Sequence, residues 1–145
     1  MMKKILALAT LCLFSASAIA MAANMHEERE AAMKKVGGAT GALGAMAKGE
    51  KPYDAETVKN SLTTISATIK TFPDLFPAGS EEGDPEASPK IWENMDDFKA
   101  RAAKLGETAD ALLAELPADQ AALGAAMGKL GANCGGCHEL YRIKK

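Results

Sequence analysis

Leu123-Gly124-Ala125-Ala126-Met127-Gly128-Lys129-Leu130-Gly131-Ala132-Asn133-Cys134-Gly135-Gly136-Cys137-His138-Glu139-Leu140-Tyr141 is the stretch on which the reading of this chain turns. Leu123, Met127, Leu130, Cys134, Cys137 and Tyr141 recur at alternating spacings of four and three, the period of one face of a helix. The two cysteines therefore continue an apolar stripe that must face other helices. His138 follows Cys134 by four residues and lies on nearly the same side. Two thiols in a Cys-x-x-Cys-His run can each form a thioether to one vinyl group of a haem, with the histidine free to ligate the iron.

Upstream of this stretch the chain carries three more segments of helical period and none with the strict alternation of a strand. The first shows Met33, Val36, Thr40, Leu43 and Ala47. The second starts at the N-cap Asp54, runs through Val58, Leu62, Ile65, Ile69 and Phe72, and stops against Pro73. In the third, Ser88 is the expected cap and Pro89 the first helical residue, followed by an unbroken seam of Ile91, Met95, Phe98, Ala102, Leu105, Ala109, Leu112 and Leu116. Pro117 and the cap Asp119 introduce the fourth. Short connections at 49–53 and around Pro117 favour antiparallel neighbours, which gives an all-α antiparallel four-helix bundle. The connection over 73–87 is longer and reads equally as an ordered crossover or a mobile loop.

The N-terminus sets the compartment. Lys3 and Lys4 precede an apolar run from Ile5 to Ile19, and Ala18-Ile19-Ala20 or Ala20-Met21-Ala22 offers a small-residue cleavage site. The run is short of the roughly 20 apolar residues that span a bilayer. Residues 1–22 are read as a cleaved export signal and 23–145 as one domain in the periplasm. Cleavage would remove Cys12, leaving Cys134 and Cys137 alone in an oxidising compartment. It would also remove two lysines from 17 basic against 19 acidic side chains, so no basic surface remains to follow a nucleic-acid backbone.

A Cys-x-x-Cys pair has other uses. A dithiol-disulfide oxidoreductase places the motif at the start of a helix, after a strand, whereas here a long helical pattern precedes it. Zinc needs four ligands, and His26 is the other histidine of the chain.

The C-terminal Cys134-Gly135-Gly136-Cys137-His138 run, with Tyr141-Arg142 directly downstream, resembles that of the cytochrome c′ family, the class II cytochromes c. Lys48-Gly49-Glu50-Lys51-Pro52-Tyr53-Asp54, Leu75-Phe76-Pro77-Ala78-Gly79 and Ile91-Trp92 are similar to the family as well. The resemblance implies one haem c, thioethers at Cys134 and Cys137, and His138 as proximal iron ligand. It puts Arg142 along the imidazole edge or on a haem propionate, although a cation there also complements the helix C-terminus. Met33 matches the family's distal position. A methionine there either binds the iron, as in low-spin electron carriers, or only crowds an open face, as in members that bind NO or CO.

One-electron transfer is the expected function and gas binding the alternative; no general acid, base or substrate pocket can be read from the chain. His26, seven residues before Met33, lies about 10 Å away along a helix, so both cannot address one iron. Gly37, Gly38, Gly41 and Gly44 are costly inside a helix and imply close packing there, by the porphyrin, by another helix, or by a second copy through Gly37 and Gly41. Phe72, Phe76, Trp92 and Phe98 read as core. The expected partners are periplasmic or membrane redox proteins, with a homodimer as an option.

Overall fold

In the computed structural model the backbone is described for residues 2–144 and the side chains for residues 25–144. Five α-helices follow in order: α1 (Met2–Ala47), α2 (Ala55–Thr71), α3 (Lys90–Glu93), α4 (Met95–Ala114) and α5 (Gln120–Tyr141), with a 3-10 turn at Phe72–Leu75 after α2. α2 packs on α1 and α4, and α5 packs on α4 and α1, so the four long helices close into an antiparallel ring. The side chains of the expected signal, 1–22, lie outside the described residues. Among the described residues no helix is long and apolar enough to cross a membrane.

The helix ends follow from local chemistry. Asp54 caps α2, its Oδ2 accepting from Thr57 N at 2.8 Å, and Asp119 caps α5, its Oδ1 accepting from Ala122 N at 2.8 Å. Gly49 turns the chain out of α1 at φ +74°, a left-handed conformation that costs glycine little. The Tyr53 hydroxyl donates to the Pro117 carbonyl and so joins the α1–α2 and α4–α5 connections.

The main core contains Val36, Leu43 and Met46 of α1, Val58, Leu62, Ile65 and Ile69 of α2, Ala102, Leu105 and Ala109 of α4, and Leu123 and Leu130 of α5. Apart from Met46, these are residues of the seams read from the sequence. A second core, built on Phe76, Ala87, Ile91, Phe98 and Tyr141, fills the end of the bundle where α5 terminates. Its rings meet edge to face, Phe76 with Phe98 at 4.9 Å and Phe98 with Tyr141 at 5.2 Å between centroids.

The third seam needs correction in its continuity and in its cap. The third seam is not one helix. Asn94 leaves helical geometry at φ −133°, ψ 46°, which separates α3 from α4. The break lets Ile91 enter the second core while Trp92 Nε1 donates to the Pro77 carbonyl at 3.1 Å, an arrangement set by tertiary contacts. The N-cap is Pro89 rather than Ser88, although the Ser88 hydroxyl still accepts from Lys90 N at 3.3 Å. Of the α1 glycines, Gly44 faces another helix, where an added Cβ would make ordinary contact at 3.8 Å from Met127 Cε. At Gly37, Gly38 and Gly41 a Cβ would meet nothing within 4 Å of this chain.

The crossover loop is ordered, and a buried arginine orders it. Arg29 lies on the α1 seam, four residues before Met33, and is only 4% exposed. Its Nε donates to the Leu75 carbonyl at 2.9 Å, its Nη2 to the Ser80 hydroxyl at 2.6 Å and its Nη1 to Asp84 Oδ2 at 2.9 Å. The guanidinium carbon sits 4.2 Å above the Phe76 ring centroid. Asp84 Oδ1 in turn accepts from Glu86 N and Ala87 N, and lies 3.2 Å from His26 Nδ1. The loop continues into an antiparallel bridge with the chain after α5, with Ile143 N donating to Glu86 O at 2.9 Å and Ser88 N to Tyr141 O at 3.0 Å. One carboxylate thus connects the α1 stripe to the end of α5.

Removing one partner of such a buried pair leaves the other charge uncompensated, so Asp84→Ala should lose about 3–5 kcal/mol of unfolding free energy in a denaturant titration. Burial alone raises the Asp84 pKa. The hydrogen bonds from Glu86 N, Arg29 and Ala87 N, with the His26 charge, outweigh that effect and hold it below its ordinary 3.8. The stability this group contributes is therefore present above that pH and is lost as the pH falls through the lower folded value. The acid limb of the stability profile should flatten in Asp84→Ala.

Candidate functional site

The last two turns of α5 hold the thiols and the histidine. Cys134 and Cys137 are both free and half-buried. They divide between the two cores: Cys134 packs against the main one and Cys137 against the aromatic one. Burial raises both thiol pKa values, and at Cys137 the Arg101 charge works against that rise.

His138 follows Cys134 by a little over one turn of α5, which puts it at the edge of the cysteine face. It is exposed and lines an open cavity of about 750 Å³ together with Glu86, Gly135, Glu139, Arg142 and Ile143. Neighbouring chain atoms still shield the ring. That desolvation first, and the Arg142 charge second, pull its pKa below 6.5, so the imidazole is largely neutral near pH 7, the state that ligates metal.

Arg142 is the C-cap residue of α5, its N–H bonded to the His138 carbonyl at 3.1 Å. Its guanidinium pairs with Glu86 Oε2 at 3.7 Å on the rim of the same cavity. It is thus both a helix-terminal cation and a neighbour of His138. Met33 is half-buried on α1 and packs against the main core, as Cys134 does, but it is not part of the cavity lining. His26 faces Asp84, on the loop side. Phe76 and Phe98 are buried in the second core, against which Phe72 and Trp92 pack, as expected of plain packing residues.

A network on α4 was not legible from the sequence. Arg101 Nε donates to Asp97 Oδ2 at 2.7 Å, and Arg101 Nη1 donates to the Gly136 carbonyl at 3.1 Å, inside the Cys-x-x-Cys run. The Tyr141 hydroxyl donates to the same Asp97 oxygen at 2.6 Å. On the sequence, Asp97 and Arg101 are an ordinary i,i+4 surface pair. The one available signal was Tyr141, a polar tip on a buried stripe that needs an acceptor.

Among the described residues no three His, Cys, Asp or Glu side chains converge as a site for a bare metal ion. Two half-buried thiols on adjacent turns beside a largely neutral imidazole and an open cavity suit a porphyrin instead. The family model for Cytochrome C' matches residues 24–142.

The chain belongs to the cytochrome c′ family. It is 63% identical over 120 residues to cytochrome c-556 of Agrobacterium tumefaciens, an alignment covering 83% of this chain and 95% of the relative. The fold is similar to solved cytochrome c′ of Rhodopseudomonas palustris, with a TM-score of 0.78 and 40% identity over 83% of this chain and 97% of the other. It is also similar to the nitric oxide complex of a cytochrome c prime mutant from Alcaligenes xylosoxidans, with a TM-score of 0.74 and 30% identity over 85% of this chain and 97% of that one. This cytochrome c′ family member is a monohaem protein with one covalently attached haem c and its iron.

Burial, then the hydrogen bond to Asp97, pushes the Tyr141 pKa up to about 12. A tyrosine whose folded pKa is raised contributes stability that is intact below its ordinary value near 10 and lost as the pH rises towards 12. The midpoint of chemical denaturation should fall across that window in the wild type. In Tyr141→Phe the fall should be shallower.

Proposed function

We propose that this cytochrome is an exported one-electron carrier whose haem is held by thioethers to Cys134 and Cys137, with His138 as proximal and Met33 as distal axial ligand. The observation that carries the reading is the position of Met33, half-buried on α1 and packed against the same core as Cys134. When bound, the haem supplies the Fe(III)/Fe(II) couple. Every other contribution comes from the chain.

Cys134 and Cys137 fix the porphyrin to α5 at two points. The neutral His138 imidazole offers a nitrogen lone pair. Arg142, held by Glu86, would tune the basicity of the imidazole through its charge. The Met33 thioether is a soft donor that would favour the reduced iron and so raise the potential. Residues 1–22 act as the signal that brings the chain to the periplasm, where small redox proteins and membrane complexes exchange electrons with it. The α1 surface at Gly37 and Gly41, where an added Cβ would meet nothing of this chain within 4 Å, is the one on which a second copy would pack.

A second reading has one supporting observation, the nitric oxide complex of the Alcaligenes relative. In that case Met33 stays off the iron and leaves a face for NO or CO. The visible spectrum of the ferric protein separates the two. A low-spin spectrum with the weak far-red methionine-to-iron band, converted to high spin by Met33→Ala, is the expected result. A high-spin wild type overturns the carrier reading in favour of the gas binder.

A further inference from the structure

The Asp97–Arg101 pair touches the attachment turn through Arg101. Arg101 is anchored at both ends of its guanidinium, by Asp97 on its own helix and by the Gly136 carbonyl on α5. Gly136 precedes Cys137 in the chain, and an added Cβ on Gly136 would lie only 3.7 Å from Arg101 Nη1, so the cation lies close against the backbone of the motif. Asp97 reaches α5 through the Tyr141 hydroxyl, four residues past Cys137. The cation thus contacts the Cys-x-x-Cys segment itself, while the anion is tied to it through Arg101 and Tyr141.

From this placement we infer that the Asp97–Arg101 pair sets the reduction potential of the attached haem, Arg101 as a positive charge held on the attachment turn by the Gly136 carbonyl and Asp97 as an opposing charge held by Tyr141. One-electron reduction of the iron by a redox partner protein lowers the charge of the site by one, with no bond made or broken in the chain. A cation held beside that site stabilises the reduced form, and its counter-anion stabilises the oxidised form. Arg101 and Asp97 are both partly solvent-exposed, so dissolved ions screen their effect. The inference rests on haem attachment at Cys134 and Cys137. If that attachment fails, wild-type protein made with the haem-attachment machinery shows no c-type haem in a pyridine haemochrome assay, an outcome separate from any reading of potential.

Potentiometric titration of the holoprotein, followed by its visible spectrum at low and high ionic strength, tests the assignment. Arg101→Gln should shift the equilibrium toward the oxidised form by about two- to fivefold at a fixed applied potential, and Asp97→Asn should shift it by a similar factor toward the reduced form. Arg101→Lys, which keeps the charge, should stay near the wild type, and all shifts should shrink in high salt while the spectra keep their wild-type ligation. A purely structural brace would move the glutamine and asparagine variants in the same direction. That result, or no shift in either, overturns the inference. Should Arg101→Gln not accumulate with haem, Asp97→Asn and its salt dependence decide alone: a salt-sensitive shift toward the reduced form supports the assignment, and its absence refutes it.

Discussion

The structure depends on the burial of a single stripe of α5. Leu123, Ala126 and Leu130 are inside the bundle, Cys134 and Cys137 continue the line half-buried, and Tyr141 ends it in the aromatic core. An apolar stripe of that length has to be covered by two neighbours, and α1 and α4 cover it. Whatever is attached to the two thiols is then held between the main core and the aromatic core. The imidazole of His138 follows on the next position of the helix, at the edge of the covered face, where it borders an open cavity.

The rest of the fold keeps that stripe in register with α1. The Arg29–Asp84 pair binds the crossover loop to α1 one turn before Met33, and the same loop pairs with the backbone after α5 through Glu86 and Ser88. A displacement of α1 along its axis would therefore have to break a buried ion pair or drag the end of α5 with it. Buried charges at this position are costly, and the contacts they make tie together the two helices that carry Met33 and His138. On α4, Asp97 and Arg101 hold α5 from the other side.

Much of this was legible in the chain because it depends on period and on caps. Asp54, Val58, Leu62, Ile65 and Ile69 announced α2, and Asp119 with the 123–141 stripe announced α5. Long-range polar contacts were not legible. Arg29 and Asp84 are 55 residues apart, and the only local hint was a charge at a seam position, four before Met33 and seven before Val36. The break at Asn94 was hidden because an asparagine on an exposed face disturbs no apolar pattern. It takes the Trp92 bond to Pro77 and the burial of Ile91 to make the interruption favourable.

The central claim is that α1 and α5 present Met33 and His138 to one iron. Proton NMR of the ferrous protein tests it most directly, because a methionine methyl bound on the haem axis lies in the full ring current and is shifted far upfield. One such three-proton resonance, absent from Met33→Leu while covalent haem is retained, is the predicted result. Methionine methyl signals confined to their ordinary range in the wild type would contradict the account.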